Sequence, residues 1–251
     1  MRLVAIYNCW ADGLDLLPYS VDNILPVVDA VIIVWSHHSN NGQFKEFIYD
    51  STDSKIMMFQ CEPPLPGSLH YNETYKRNYG LHKAKELGFS HFLLMDSDEF
   101  YIQSEVMGEK EKIESNNLNG TVCRLKVLFK KPTYSLPDHT LVPFIHKLFH
   151  NTQAGDFKHY PFAYDANGNA HIDPTRRINC FDRIEMSEVF MWHASWIRSD
   201  VDLKIENSAA RKNLKKSSIY QDLDNAAPGA YNEFYRATIT ECENIFNLPE
   251  L

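Results

Sequence analysis

The chain has 251 residues, 44% hydrophobic and 23% charged, the balance of an ordinary globular protein able to bury a substantial core in one large domain or two tightly joined lobes. A net charge of −8 argues against a surface generally coated with nucleic acid, and no apolar run approaches the roughly 20 residues that span a bilayer. The five cysteines stand singly at positions 9, 61, 123, 180 and 242; an odd count without Cys-x-x-Cys favours reduced thiols in a cytosol and speaks against a zinc site.

The opening stretch, Met1 to Tyr7, is too short and lacks a small-residue cleavage site, so it reads as a strand over Leu3 to Tyr7 and not as a signal peptide. The loop Asn8-Cys9-Trp10-Ala11-Asp12-Gly13 follows, then a short helix over Leu14 to Leu25 and a buried strand over Asp29 to Trp35. Adjacent His37 and His38 point in opposite directions if that strand continues, so they do not form a two-histidine metal site. Lys55 to Cys61 is a third strand. After the breaker-rich Glu62-Pro63-Pro64-Leu65-Pro66-Gly67, Ser68 to Gly88 reads as a helix whose buried face runs through Leu81, Ala84 and Gly88 and back to Arg77. A buried arginine needs an anionic partner, which is either a nucleotide diphosphate or an ordinary aspartate.

Phe92 to Met95 is too short for a helix and is bounded by turn or charge signals, so it reads as a buried strand running into Asp96-Ser97-Asp98-Glu99. Open α/β sheets bind ligands at the carboxyl ends of their strands. Asp96 and Asp98, two residues apart, project to one side of an extended backbone and suit an oxygen-binding cation such as Mg²⁺ or Mn²⁺ that keeps positions open for phosphate. An isolated Asp-x-Asp is more often a plain acidic turn, and only its setting after a buried strand favours the ligand reading. Residues 1 to 101 thus alternate strand and helix, as a nucleotide-binding parallel sheet does.

The pattern then changes. Ser104 to Asn116 is a charged helix, Thr121 to Phe129 a half-buried strand, Pro143 to Phe149 another, and Ala166-Asn167-Gly168-Asn169 a hairpin turn. Val189 to Ile197 is a strand carrying His193 between Trp192 and Trp196. Lys204, Arg211, Lys212, Lys215 and Lys216 make the next segment locally basic, either a solvated face or a lid over an anion. Pro228-Gly229 breaks it, and Tyr231 to Leu248 is read as a final amphipathic helix.

Arg77-Asn78-x-Gly80 on a helix, a strand ending in Asp96-Ser97-Asp98-Glu99, and the later Met191-Trp192-His193-Ala194-Ser195-Trp196-Ile197-Arg198 together resemble GT-A-fold, family-2-like glycosyltransferases of bacterial and phage type. The resemblance covers roughly residues 1 to 200. It implies an α/β fold with a Rossmann-type, mostly parallel sheet, helices on both faces, a smaller mixed acceptor lobe and C-terminal helices. The corresponding spans are 1–101 for nucleotide-sugar binding, 102–199 for the acceptor lobe and 200–251 for the helical segment.

The same resemblance implies the site. Tyr7, Asn8 and Trp10 are candidates to cup the nucleobase, Tyr7 being equally suited to the core; Arg77, Asn78, Ser97 and Arg198 join Asp96 around the diphosphate; and Asp96, Asp98 and His193 ligate Mn²⁺ or Mg²⁺. Ser36 and His37 stand where many members have an aspartate for the ribose or base, which leaves the base open. Lys147 beside Leu148-Phe149 lies near the site in related enzymes, or else forms a structural ion pair. The activity implied is glycosyl transfer from a nucleoside diphosphate sugar, foremost a UDP-sugar, to a saccharide or glycoconjugate hydroxyl in a bacterial or phage-infected host cytosol. For inversion a carboxylate must take the acceptor proton. Asp156, Asp173, Asp182 and Glu185 are all candidates, and Asp182 or Glu185 is favoured because they immediately precede the His193 strand. A phage-type enzyme acting on a modified DNA base is the first rival, with the basic segment as its DNA contact. A non-catalytic sugar-nucleotide-binding or carbohydrate-binding protein is the second.

Overall fold

In the computed structural model, which describes residues 1–207 and 215–250, the first half of the chain forms four parallel strands. They are β1 (Leu3–Cys9), β2 (Ala30–Trp35), β3 (Ile56–Gln60) and β4 (His91–Met95), in the order β3-β2-β1-β4. Register pairs Cys9 with Trp35 and Tyr7 with Met95, so the strands end along one edge. Three of the strands are apolar without alternation because helices cover both faces. On one face α1 (Leu17–Ile24) packs through Leu17, Val21 and Ile24 against Leu3, Ala5, Val31 and Ile33. On the other, α2 (Leu69–Glu86) packs through Leu81 and Ala84 against Val4, Ile6, Ile32 and Val34.

Ser68 caps α2 by accepting from the Tyr71 amide at 3.1 Å, and the chain turns away at Gly88 with φ +73°. Gly88 is therefore exposed and does not belong to the buried face assigned to it above. Toward the helix N-terminus the buried residues become polar: Asn72, Lys76 and Arg77. That half of α2 overhangs the strand ends, where the core gives way to the site.

The second half extends the same sheet in mixed sense. After β5 (Glu99–Phe100) and α3 (Gln103–Ser115) come β6 (Gly120–Leu128), β7 (Tyr134–Lys147) and β8 (Ile184–His193). β7 runs antiparallel to β4 and to β6, and β6 is parallel to β8. β5 closes the arrangement by pairing antiparallel with β8, Glu99 opposite His193 and Phe100 opposite Trp192. That register brings His193 beside the acidic turn. The α/β architecture, with a parallel half, helices on both faces and a mixed second half, follows the expectation. β7 begins nine residues before the anticipated Pro143, and β8 spans Ile184–His193, so Trp196 and Ile197 stand in the turn after it.

The C-terminal segment departs from expectation. α4 (Val201–Asn207) and α5 (Lys216–Asp224) are helices, but no helix spans Tyr231 to Leu248. β9 (Tyr231–Asn232) and β10 (Ala237–Thr238) form a small hairpin, and β11 (Thr240–Glu241) pairs with the start of β7. Tyr, Phe and Thr fit strands better than helices, Arg236 turns the hairpin with φ +51°, and β11 covers ladder groups that β7 otherwise leaves open. Of the basic run, Arg211 and Lys212 lie outside the described residues. Among the described residues no helix is long and apolar enough to cross a membrane.

Candidate active site

A cleft of about 370 Å³ opens where the parallel strands end, within the size range of ligand sites. Asn8, Trp10, Asn40 and Lys76 line it from the parallel half, Asp96 to Glu99 from the acidic turn, and Leu125, Asp138, Asp173 and Arg176 from the mixed half. His193, Ser195, Arg198, Lys204, Phe234 and Tyr235 complete it.

The acidic turn is neutralised by cations from four separate elements. Asp96 meets Arg77 Nη2 at 3.1 Å and Arg176 Nη2 at 2.5 Å, and Arg176 also binds Glu99. Asp98 Oδ2 accepts from Arg198 Nη2 at 2.5 Å, Ser195 Oγ at 2.9 Å and Lys204 Nζ at 3.0 Å. Burial alone would raise both aspartates. Arg176 and then Arg77 outweigh it and bring Asp96 down to about 2, while Lys204, His193 and Arg198 hold Asp98 well below the usual carboxylate range. Glu99 goes the other way, its burial only partly offset by Arg176. Both aspartates are thus ionised across the physiological range.

His193 Nε2 lies 3.5 Å from Asp98 Oδ1 and 2.6 Å from Ser195 Oγ. Asp98 Oδ1 and the imidazole share one space at the cleft wall, two ligands of the kind that fit a divalent ion whose remaining positions go to phosphate and water. Asp96 does not join them as anticipated, because guanidiniums engage both of its oxygens. Among the described residues no group of three or more His, Cys, Asp or Glu converges as a metal cage.

Asn8 and Trp10 line the cleft. Asn8 Oδ1 is buried and has no hydrogen bond among the described residues, and Trp10 Nε1 donates to the His37 carbonyl at 2.9 Å. Ser97 is buried against Gly13, where a Cβ would come within 1.8 Å of its Oγ, so the loop after β1 lies directly on the acidic turn. Ser36 receives Lys76 Nζ at 3.3 Å; burial lowers that ammonium, and Lys76 is 1% exposed.

Other assignments are corrected by position. Tyr7 is a core residue, 0% exposed, its hydroxyl 2.9 Å from Ser20 Oγ. Asn78 braces a loop, donating to Ala154 O and accepting from Ala154 N. Arg77 sits beneath Asp96 and Glu73 and does not line the cleft, so its partner is the ordinary aspartate. Arg198 lines the cleft, but its nitrogens donate to Ser195 O, Asp12 O and Asp98. Lys147 stands opposite His91, at the far end of β4. Asp182 and Glu185 are not brought to the site: their side chains are 76% and 50% exposed beside Arg183 and Lys112. Eight extended residues separate Glu185 from His193, roughly 25 Å.

No family model matches the chain, and no curated protein matches it in sequence. Among solved structures it is similar to S. aureus TarS 1-349, at 14% identity and a TM-score of 0.47 over 89% of this chain and 69% of that one. A longer S. aureus TarS structure gives 14% and 0.45 over 90% of this chain and 43% of that one. TarS 1-349 in complex with UDP-GlcNAc gives 14% and 0.42 over 90% and 72%.

The sequence reading missed Arg176, Lys76 and Asp138. Lys76 had a local signal, since it stands four residues before Gly80 and eight before Ala84 on the buried stripe of the same helix. Arg176 had none, because its partner Asp96 is 80 residues away.

Proposed function

We propose that the chain transfers a glycosyl unit from a nucleoside diphosphate sugar to an acceptor hydroxyl. The observation that carries this reading is the meeting of Asp96, Asp98 and His193 with the cleft-facing cations Arg176, Arg198 and Lys204 at the carboxyl edge of a parallel sheet. The acids alone would repel a diphosphate. Lys204, 24% exposed and held by a single carboxylate contact at 3.0 Å, is the cation best placed to turn to phosphate oxygens. On the β1 side of the cleft, the buried Asn8 Oδ1, without a hydrogen bond among the described residues, suits an N–H donor such as the imide of uracil, in keeping with a UDP-sugar.

A divalent cation, Mn²⁺ or Mg²⁺, held by Asp98 and His193 would neutralise charge on the departing diphosphate. The protein's own part is to hold the donor and take a proton. In the inverting reaction the acceptor oxygen bonds to the anomeric carbon, the bond to the diphosphate oxygen breaks, and the acceptor proton passes to a carboxylate. Asp173 takes that role in place of Asp182 and Glu185. It lines the cleft beside Arg176, and its Oδ1 is oriented by the Thr175 amide at 2.7 Å. Lys204, turned inward to Asp98, is lost from the basic surface that a DNA-directed enzyme would present.

The test is calorimetric titration with UDP, CDP, GDP and ADP, with and without Mn²⁺, on the wild type and Asp98→Ala. Metal-dependent binding that disappears in the variant is expected. If no nucleotide binds under either condition, the acidic turn is structural and the reading fails.

A further inference from the structure

The far wall of the cleft is built by the C-terminal hairpin. Phe234, between β9 and β10, lines the cleft and is 42% exposed, yet its ring is firmly held. It packs edge-on against Tyr235, with centroids 4.9 Å apart, and against Trp196 at 6.3 Å. Trp196 Nε1 donates to the Tyr235 hydroxyl at 2.7 Å, locking the two rings behind it. The amides of Glu233 and Phe234 donate to the Asp222 carboxylate of α5, pinning the hairpin tip from outside. A partly exposed aromatic ring is therefore fixed at the cleft before any ligand arrives.

Asp138 lies on the same side. β6 and β7 slip register here: Arg124 pairs with Leu141 but Leu125 pairs with Asp138, so His139 and Thr140 are extra residues on β7. Such a bulge re-aims side chains, and this one leaves the half-buried Asp138 on the cleft wall with Oδ1 accepting from the Thr140 amide at 2.7 Å. Burial raises the Tyr235 phenol, the hydrogen bond from Trp196 offsets part of that, and the charges of Asp138 and Asp98 push it further up, so the phenol stays neutral.

We propose that Phe234 and Asp138 form the acceptor subsite and that the acceptor they take is a neutral sugar. A pyranose offers an apolar C–H face to an aromatic ring and a rim of hydroxyl donors to a carboxylate. A nucleic acid offers the opposite, since its phosphates would face Asp138 and Asp173 across the cleft. The inference rests on the glycosyl-transfer reading above.

The experiment titrates the methyl glycosides of glucose, galactose, mannose and N-acetylglucosamine against the full chain by saturation-transfer NMR, with and without saturating UDP and Mn²⁺. A single-stranded oligonucleotide is the competing probe. At least one glycoside is expected to bind, with ring C–H protons receiving the saturation. Its affinity should fall about tenfold in Phe234→Ala and in Asp138→Asn, the size of effect of one lost aromatic contact or charge-assisted hydrogen bond. Phe234→Leu, which keeps apolar bulk without the flat face, should behave like Phe234→Ala, and UDP affinity should be unchanged in all three. If UDP binds but no glycoside does, or if glycoside binding is indifferent to both positions, the subsite is wrong and the donor reading stands. Oligonucleotide binding that weakens in Phe234→Ala overturns the sugar assignment in favour of nucleic acid. If neither UDP nor glycoside binds, the glycosyl-transfer reading falls and takes this inference with it.

Discussion

At the scale of single residues, Asp96 and Asp98 share a motif but have different surroundings. Asp96 is one-third exposed and braced by two buried arginines, whereas Asp98 is 1% exposed and shares its space with His193. Asp98 thus keeps one oxygen toward the imidazole at the cleft, and Asp96 is the post that holds the turn against α2. Asp96→Asn should cost about 2 kcal/mol at neutral pH, less than a fully buried pair because of that exposure. The folded carboxyl is held at about 2, below its value of about 3.9 in an unfolded chain. Its ion pairs thus stabilise the protein fully above about pH 4 and are lost as the pH falls toward 2. Melting curves of wild type and variant should lie furthest apart above pH 4 and converge below it; a constant gap would mean that charge pairing is not what Asp96 contributes.

At the scale of elements, α2 is placed by contact and not by amphipathic strength, since polar Asn72, Lys76 and Arg77 share its buried face with Leu81 and Ala84. Gly80 lets the helix sit close to the sheet: a Cβ there would come 2.4 Å from Ile6 Cγ2 and 3.1 Å from Val34 Cγ2. Gly80→Ala should therefore destabilise the fold by about 1–3 kcal/mol despite alanine's better helix propensity. Urea denaturation would show a lowered midpoint. It should also weaken nucleotide binding, because Arg77 and Lys76 are carried on the same helix. A variant as stable as wild type would mean that α2 can shift outward without cost.

For the whole molecule, one sheet runs from β3 at one edge to β5 at the other, β5 pairing with β8, and the cleft forms where the parallel half meets the mixed half. Arg176 bridges from the loop before β8 to Asp96 and Glu99, so the two halves are joined by charge at the cleft. The net charge of −8 is not relieved by a basic cleft, where carboxylates alternate with the cations. Duplex DNA should show no salt-sensitive affinity in mobility-shift titrations from about 50 to 200 mM salt. A steep salt slope would reinstate the DNA-directed alternative.

What could be read from residue order was whatever depends on neighbours in the chain. The strand ending in Asp96-Ser97-Asp98, the helix that follows the proline-rich stretch and the strands of residues 1–101 all follow from local runs of side chains, though no helix stands between β2 and β3. His193 was singled out by the resemblance of its segment to a known family, since a lone histidine on an apolar strand is more often a core residue. Asp182 and Glu185 were chosen for nearness along the chain to His193, and an extended strand turns that nearness into distance. The C-terminal hairpin was read as a helix because spacing of apolar residues does not reveal the open edge of β7 that a strand must cover. Arg176, Lys204, Asp138 and Phe234 meet the acidic turn only through strand register, a bulge and the packing of remote segments. Those are decided by which surfaces bury one another in three dimensions, and no short window of sequence contains both partners.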